Sequence, residues 1–209
     1  TVPGQAQDSA GGKTYNVTAI GSSAFARCAE ITKLVLPEGL ERIEPRAFEY
    51  CSALTDVEFP AALQFIGNDA FYTCPLVQVD LSATALQTID TSAFMNCKSL
   101  ESVLLPDSLA NIGERTFEYC ENLQSINLPA GLQKMGKEVF WHCRNLQNLT
   151  FAADCQLAEI PNGAFRACDS LTKVVLPASV RKINGSAFEN CAGLQSIELA
   201  CWPVGKAER

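Results

Sequence analysis

Apolar residues recur along this chain with a period of 23, and the polar positions between them recur with it. Cysteine keeps the register most plainly: Cys28, Cys51, Cys74, Cys97, Cys120, Cys143, Cys168 and Cys191, at steps of 23, 23, 23, 23, 23, 25 and 23 residues. Three residues before each stands a phenylalanine: Phe25, Phe48, Phe71, Phe94, Phe117, Phe140, Phe165 and Phe188. Just ahead of it is Ala24, Ala47, Ala70, Ala93, Thr116, Val139, Ala164 or Ala187. Eight residues before the cysteine is Ile20, Ile43, Ile66, Ile89, Ile112, Met135, Ile160 or Ile183. Three residues after it is Ile31, Leu54, Val77, Leu100, Leu123, Leu146, Leu171 or Leu194. A fixed period of this size marks a solenoid, whose units cannot bury their apolar faces alone.

Two local structures are predicted in each unit. In Ala-Phe-x-x-Cys the apolar side chains fall at i, i+1 and i+4, one face of a short helical turn. Helix-starting residues precede it, as in Asn68-Asp69, Asp90-Thr91-Ser92 and Asn184-Gly185-Ser186. After the cysteine, Leu-x-x-Val-x-Leu alternates inward and outward as a short strand does; Leu100-Glu101-Ser102-Val103-Leu104-Leu105 is one instance. Proline ends that strand at Pro37, Pro60, Pro106, Pro129 and Pro177. Stacked, the units predict an α/β solenoid of about eight 23-residue repeats. It is expected as a right-handed superhelix with a parallel sheet on the concave face and short helical turns on the convex face. Strands ~4.8 Å apart give a sheet roughly 34 Å long.

The register never breaks, so residues 1–209 read as one solenoid domain, with a partial N-terminal repeat or cap over 1–20 and a tail over 200–209. Val17 and Ile20 occupy their columns, Val2-Pro3 resembles the end of a strand, and Gln5 to Lys13 reads as a surface loop. The repeat has lost its front, which suggests a natural chain beginning upstream with a capping strand. Two repeats are irregular. After Cys74 the strand slips by one residue, placing Leu76, Val79 and Leu81 inward, and Ser82-Ala83-Thr84-Ala85 restores register at Leu86. After Cys143, the turn from Ala152 to Gln156 carries two extra residues and lacks its proline. Such insertions bulge from one face. Near the end, Cys201-Trp202-Pro203 stands where a turn is due, with Trp202 placed to cover the last rung.

The string Ile-Gly-x-x-Ala-Phe-x-x-Cys-x-x-Leu-x-x-Val-x-Leu-Pro-x-x-Leu-x-x-Ile resembles the BspA-like leucine-rich repeats. Ile112-Gly113-Glu114-Arg115-Thr116-Phe117-Glu118-Tyr119-Cys120-Glu121-Asn122-Leu123 is a close instance, and the stretch from Gly12 to Gly21 is similar to the family's N-terminal lead-in. The resemblance covers residues 12–200. It implies a leucine-rich-repeat solenoid that is secreted or surface-attached, from an anaerobic bacterium or a protozoan. It also implies adhesion to host matrix glycoproteins or to other cells. No motif of functional residues carries over, because the repeats are scaffold.

Composition narrows the partners. The 209 residues carry a net charge of −7, which argues against nucleic acid and anionic membranes, since both reward clustered Lys and Arg. No apolar run approaches the ~20 residues of a membrane span. The ten cysteines include no Cys-x-x-Cys cluster of the kind that holds zinc. Framework disulfides belong to small chains short of core. The eight in one column are therefore expected to be reduced, buried apolar groups. Cys155 and Cys201 lie outside the column, about 10 Å apart by strand spacing, beyond disulfide reach unless the loops bend. The single histidine, His142, is expected as an exposed helix residue facing away from Cys143, so no nucleophile–base pair forms. No catalytic residue, metal site or cofactor is assigned.

Two surfaces are candidates for a ligand. The outward residues of the sheet run Lys33/Val35, Asp56/Glu58, Gln78/Asp80, Ser102/Leu104, Ser125/Asn127, Asn148/Thr150, Lys173/Val175 and Ser196/Glu198. Among them Asp56, Glu58 and Asp80, flanked by Glu101, form an acidic patch suited to a basic partner segment or weakly held Ca²⁺; the plain alternative is a solvated face. Tyr50, Tyr72, Tyr119 and Trp141 lie on the outer side, either as binding anchors or as fillers of the grooves between stacked turns. The sequence thus reads as a non-enzymatic, extracellular or cell-surface interaction module for a protein or glycoprotein. The alternatives are a structural spacer and the recognition arm of a multidomain enzyme.

Overall fold

The computed structural model describes residues 2–7 and 14–199. Every regular element among them is a strand. The first two, β1 (Gln5–Gln7) and β2 (Thr14–Asn16), pair antiparallel. The front of the stretch read as a loop is thus a paired strand, while 8–13 lie outside the described residues. Two-residue strands follow once per repeat: β3 (Ala19–Ile20), β5 (Arg42–Ile43), β7 (Phe65–Ile66), β9 (Thr88–Ile89), β11 (Asn111–Ile112), β13 (Lys134–Met135), β15 (Glu159–Ile160) and β17 (Lys182–Ile183). Longer strands alternate with them: β4 (Lys33–Val35), β6 (Asp56–Glu58), β8 (Gln78–Asp80), β10 (Ser102–Leu104), β12 (Ser125–Leu128), β14 (Asn148–Phe151), β16 (Lys173–Leu176) and β18 (Ser196–Leu199).

Both sets stack in parallel. The longer strands follow the expected parallel stack in three hydrogen-bonded pieces, β4–β6, β8–β10–β12–β14 and β16–β18, with Val79 opposite Val103 and Leu128 opposite Phe151. The two-residue strands form a second ladder that the sequence did not announce: Ile20, Ile43, Ile66, Ile89, Ile112 and Met135 stand in one row. That ladder needs no β-propensity of its own. The isoleucine column is held inside the core, and stacking then brings extended backbones side by side.

The Ala-Phe-x-x-Cys segments are not helical, which corrects the expected convex helices. In the Cys97 rung, Ala93, Met95 and Cys97 donate backwards within the rung to Asp90, Ser92 and Phe94, closing three overlapping turns. The alternate groups of Ser92, Phe94 and Asn96 donate to Glu114, Thr116 and Glu118 of the next rung at 2.8, 2.9 and 2.7 Å. A helix would direct all six bonds along its own axis. Here half of them join neighbouring rungs, so the turns make a third ladder. The geometry requires positive φ twice per rung, five residues and one residue before each cysteine: Ser92 and Asn96 at 54° and 62°, Arg115 and Tyr119 at 56° and 59°. Apart from Gly163, all these residues have side chains. The turn face is therefore a ribbon one chain thick. It lacks the ~10 Å width of a helix.

The core lies between the ladders. Phe48, Phe71, Phe94, Phe117, Phe140 and Phe165 are fully buried. With Phe25 and Phe188 they stack ring on ring at 5.2–5.6 Å and within 13° of parallel. Thr116, in the alanine column, satisfies its buried hydroxyl on the carbonyls of Gly113 and Asp90. The slipped rung is as expected: Leu76, Val79, Leu81 and Leu86 are buried while Val77 is exposed. At the front, the Val2 N–H donates to the Val35 carbonyl, which ties Val2 to the end of β4, though residues 2 and 3 form no strand. Cys201 and Trp202 lie outside the described residues.

Candidate interaction surfaces

The sheet face presents its outward residues as the alternation requires. Asp56, Glu58 and Asp80 are exposed, and between them Val57 and Val79 point into the core. Acidity at this end is partly balanced. Lys33 reaches from the preceding rung to Asp56 Oδ2 at 2.9 Å and to Glu58 Oε1 at 2.6 Å. The hydrogen bonds it donates to Glu58 and then to Asp56 hold its ammonium above its usual pKa range. Asp80 accepts from the Ser82 hydroxyl at 2.6 Å and the Ser82 N–H at 3.0 Å, which keeps its carboxyl below the usual range. Glu101 is exposed at the flank. Lys33 is the member that sequence reasoning left out; the 23-residue offset from Lys33 to Asp56 was the available signal.

The four outer aromatics form two clusters. Tyr50 and Tyr72 meet edge to face at 5.2 Å, with the Arg27 guanidinium 5.0 Å over Tyr50. Two rungs further on, Tyr119 stacks on His142 at 4.7 Å, Trp141 lies 5.1 Å from His142, and Arg166 caps Trp141 at 5.3 Å. Met95 and Asn96 of the intervening rung separate the pairs. His142 is half-buried in a left-handed turn and not an exposed helix residue. Burial and the nearby Arg144 lower its pKa.

The column cysteines are unpaired, and Cys51 to Cys168 are buried. Burial pushes Cys97 up to about 12 and raises Cys120, Cys143 and Cys168 well above the usual thiol range. Cys155 is buried too. Among the described residues, no three His, Cys, Asp or Glu side chains converge as metal ligands.

The BspA type leucine-rich repeat region profile matches residues 18–110 and 87–202 in six copies. This chain belongs to the BspA-type leucine-rich-repeat family. No match is found among curated protein sequences. The BspA-type chain is similar to a leucine-rich repeat protein of Bacteroides ovatus, with 25% identity and a TM-score of 0.64 over 95% of this chain and 62% of that one. It shares its fold with the pneumococcal vaccine antigen PcpA, at 19% identity and a TM-score of 0.71 over 95% and 59%. It also shares it with a leucine rich cell surface protein of Faecalibacterium prausnitzii, at 23% identity and a TM-score of 0.50 over 90% and 65%. The chain thus spans less than two thirds of the length of these relatives.

The fold of this BspA-type chain is that of a bacterial repeat protein, a scaffold consistent with protein interaction. Among the described residues no helix is long and apolar enough to cross a membrane.

Proposed function

We propose that this chain is a non-enzymatic interaction module of a secreted or cell-surface bacterial protein. The acidic end of its sheet, Asp56, Glu58, Asp80 and Glu101, receives a basic segment of a protein or glycoprotein partner. The observation that carries this reading is the alternation of exposed carboxylates with buried Val57 and Val79 on strands held by the core. Side chains on such strands lose little freedom on binding. Two of the structural relatives, a cell surface protein and a vaccine antigen, support the location.

The test is a binding screen against matrix glycoproteins and basic peptides, read as association rates at low and high salt. A basic partner associates faster at low salt. Asp56→Lys with Glu58→Lys slows capture and leaves folding within about 0.5 kcal/mol, because both positions are exposed. If binding survives that reversal but is lost in Tyr119→Ala with Trp141→Ala, the turn face is the binding face. If neither pair matters for any ligand, the chain is a spacer.

A further inference from the structure

The ladder of longer strands is interrupted twice, between β6 and β8 and between β14 and β16, and the second interruption falls where two residues are inserted. β14 pairs with β12, and β16 pairs with β18, but β14 and β16 share no ladder. Their Cα atoms nevertheless approach within 8 Å. The second ladder parts at the same level, between β13 and β15. The turn from Ala152 to Gln156 is the cause, since its extra length shifts everything after it out of step.

The intact pairs tell which main-chain groups lose partners. The Asn148 N–H donates back to Gln124 at 3.2 Å. Successive residues of a strand turn their N–H and C=O to opposite sides, so Leu149 and Phe151 face forward, towards β16. Lys173 and Val175 take the places of Asn148 and Thr150 in the next rung, and they face back. Both walls of the opening therefore offer alternating donors and acceptors that no strand completes.

The opening is a cleft of about 530 Å³ lined by Asn148, Thr150, Phe151, Lys173 and Val175. It continues into a smaller depression of about 230 Å³ over Leu104, Ser125 and Asn127, and Asn148 and Thr150 line both. The result is a groove across successive rungs. Its only charged wall residue is Lys173, already bound to Glu198 at 2.7 Å. Leu104 and Val175 are exposed apolar side chains beside it.

These features select an occupant. With Lys173 already paired to Glu198, the groove gives an ionic ligand no free counter-charge. A peptide strand paired to both walls needs two strand spacings, ~9.6 Å, and the walls are closer than that. Hydroxyl groups both donate and accept, and they are slim enough to meet both walls. We propose that this groove binds a neutral oligosaccharide. Its hydroxyls occupy the cleft on the main chain of Leu149, Phe151, Lys173 and Val175, and its C–H faces rest on Phe151, Val175 and Leu104. The β14–β16 cleft is four rungs from Asp56 and Glu58, and the groove meets the acidic end only at Leu104, opposite Asp80; it goes beyond the acidic-end reading, and reversing Asp56 and Glu58 separates the two.

Hydrogen exchange of the whole chain tests the opening first. Amides of Leu149, Phe151, Lys173 and Val175 should exchange at least tenfold faster than their paired counterparts Ile126, Leu128, Asn148 and Thr150. Soluble β-glucan, mannan and galactan oligomers are then added. One of them should slow those four amides and bind in calorimetry. Asn148→Ala with Thr150→Ala should weaken that binding at least tenfold, and Asp56→Lys with Glu58→Lys should leave it unchanged. Equal protection of the two amide sets in the free protein overturns the proposal. So does a panel in which no oligomer alters exchange, an Asn/Thr-rich peptide protecting the four amides in place of a sugar, or binding indifferent to the Asn148/Thr150 variant.

Discussion

Cys97 donates its thiol to the carbonyl oxygen of Phe71, one rung back, at 3.2 Å. That oxygen already accepts the Cys74 N–H at 3.2 Å, so the thiol occupies its second lone pair. The same bond recurs at Cys51, Cys74, Cys120, Cys143, Cys168 and Cys191. A small apolar group with one weak donor suits a buried turn carbonyl better than alanine, which has no donor. The column is therefore structural.

Thiol chemistry checks this. A maleimide reacts with the thiolate, and the thiols of Cys97, Cys120, Cys143 and Cys168 are buried and protonated. At pH 8 the half-buried end cysteines, Cys28 and Cys191, label in the native protein, and Cys97, Cys120, Cys143 and Cys168 label only after denaturation. Native labelling of Cys97 as fast as Cys28, read by peptide mass mapping, contradicts the burial.

Phe117 stacks between Phe94 at 5.6 Å and Phe140 at 5.4 Å. Phe117→Ala should cost ~3–5 kcal/mol, because the cavity weakens two rung interfaces at once. Ser125→Ala, on the exposed sheet face, should change stability by less than about 0.5 kcal/mol. Urea midpoints of the two variants decide, and equal midpoints refute the inward phenylalanine column.

The turn ribbon has its own test. Thr73 is a β-branched residue at φ 58°, a conformation that costs roughly 1–2 kcal/mol outside glycine and asparagine. Thr73→Asn should raise Tm, whereas Thr73→Val keeps the strain, loses the bond from Asn96 and should lower it. Gly113 is required for another reason: a Cβ there would lie 2.4 Å from the Thr91 nitrogen of the previous rung. Gly113→Ala should be destabilising by about 1–3 kcal/mol or more, and Gly21→Ala, with no atom within 4 Å, nearly neutral.

Glu118 makes stability depend on pH. It stands in the turn column between Met95 and Trp141 and is 3% exposed, with Oε2 accepting no hydrogen bond. Burial raises its pKa from 4.5 to about 7 against the pull of Arg115, 3.6 Å away, and with repulsion from Glu138. Between those two values the folded chain holds a proton that the unfolded chain has lost. Its contribution is therefore full below pH 4.5 and is lost as pH rises through about 7. Glu118→Gln should stabilise at pH 8 by up to about 3 kcal/mol, change little at pH 4, and flatten the profile between. A parallel pair of Tm–pH curves for wild type and variant would falsify the assignment.

The 23-residue period, the buried columns of Phe, Cys, Leu and Ile, and the slip at Leu76 and Val79 were all legible in the sequence. Each reflects one physical demand, repeated eight times, that apolar side chains at fixed spacing share a core. The helical turns were misread because Ala-Phe-x-x-Cys buries the same three side chains on a helix or on a ribbon. What separates the two is where the alternate N–H groups of Ser92, Phe94 and Asn96 find acceptors, and those belong to the next rung. The two-residue strands were illegible because two residues carry no period. The Lys33 bridge to Asp56 and Glu58, the burial of Glu118 and the opening between β14 and β16 likewise depend on which rungs meet and how closely. Stacking decides these, because a residue's neighbours in a solenoid lie about 23 positions away along the chain.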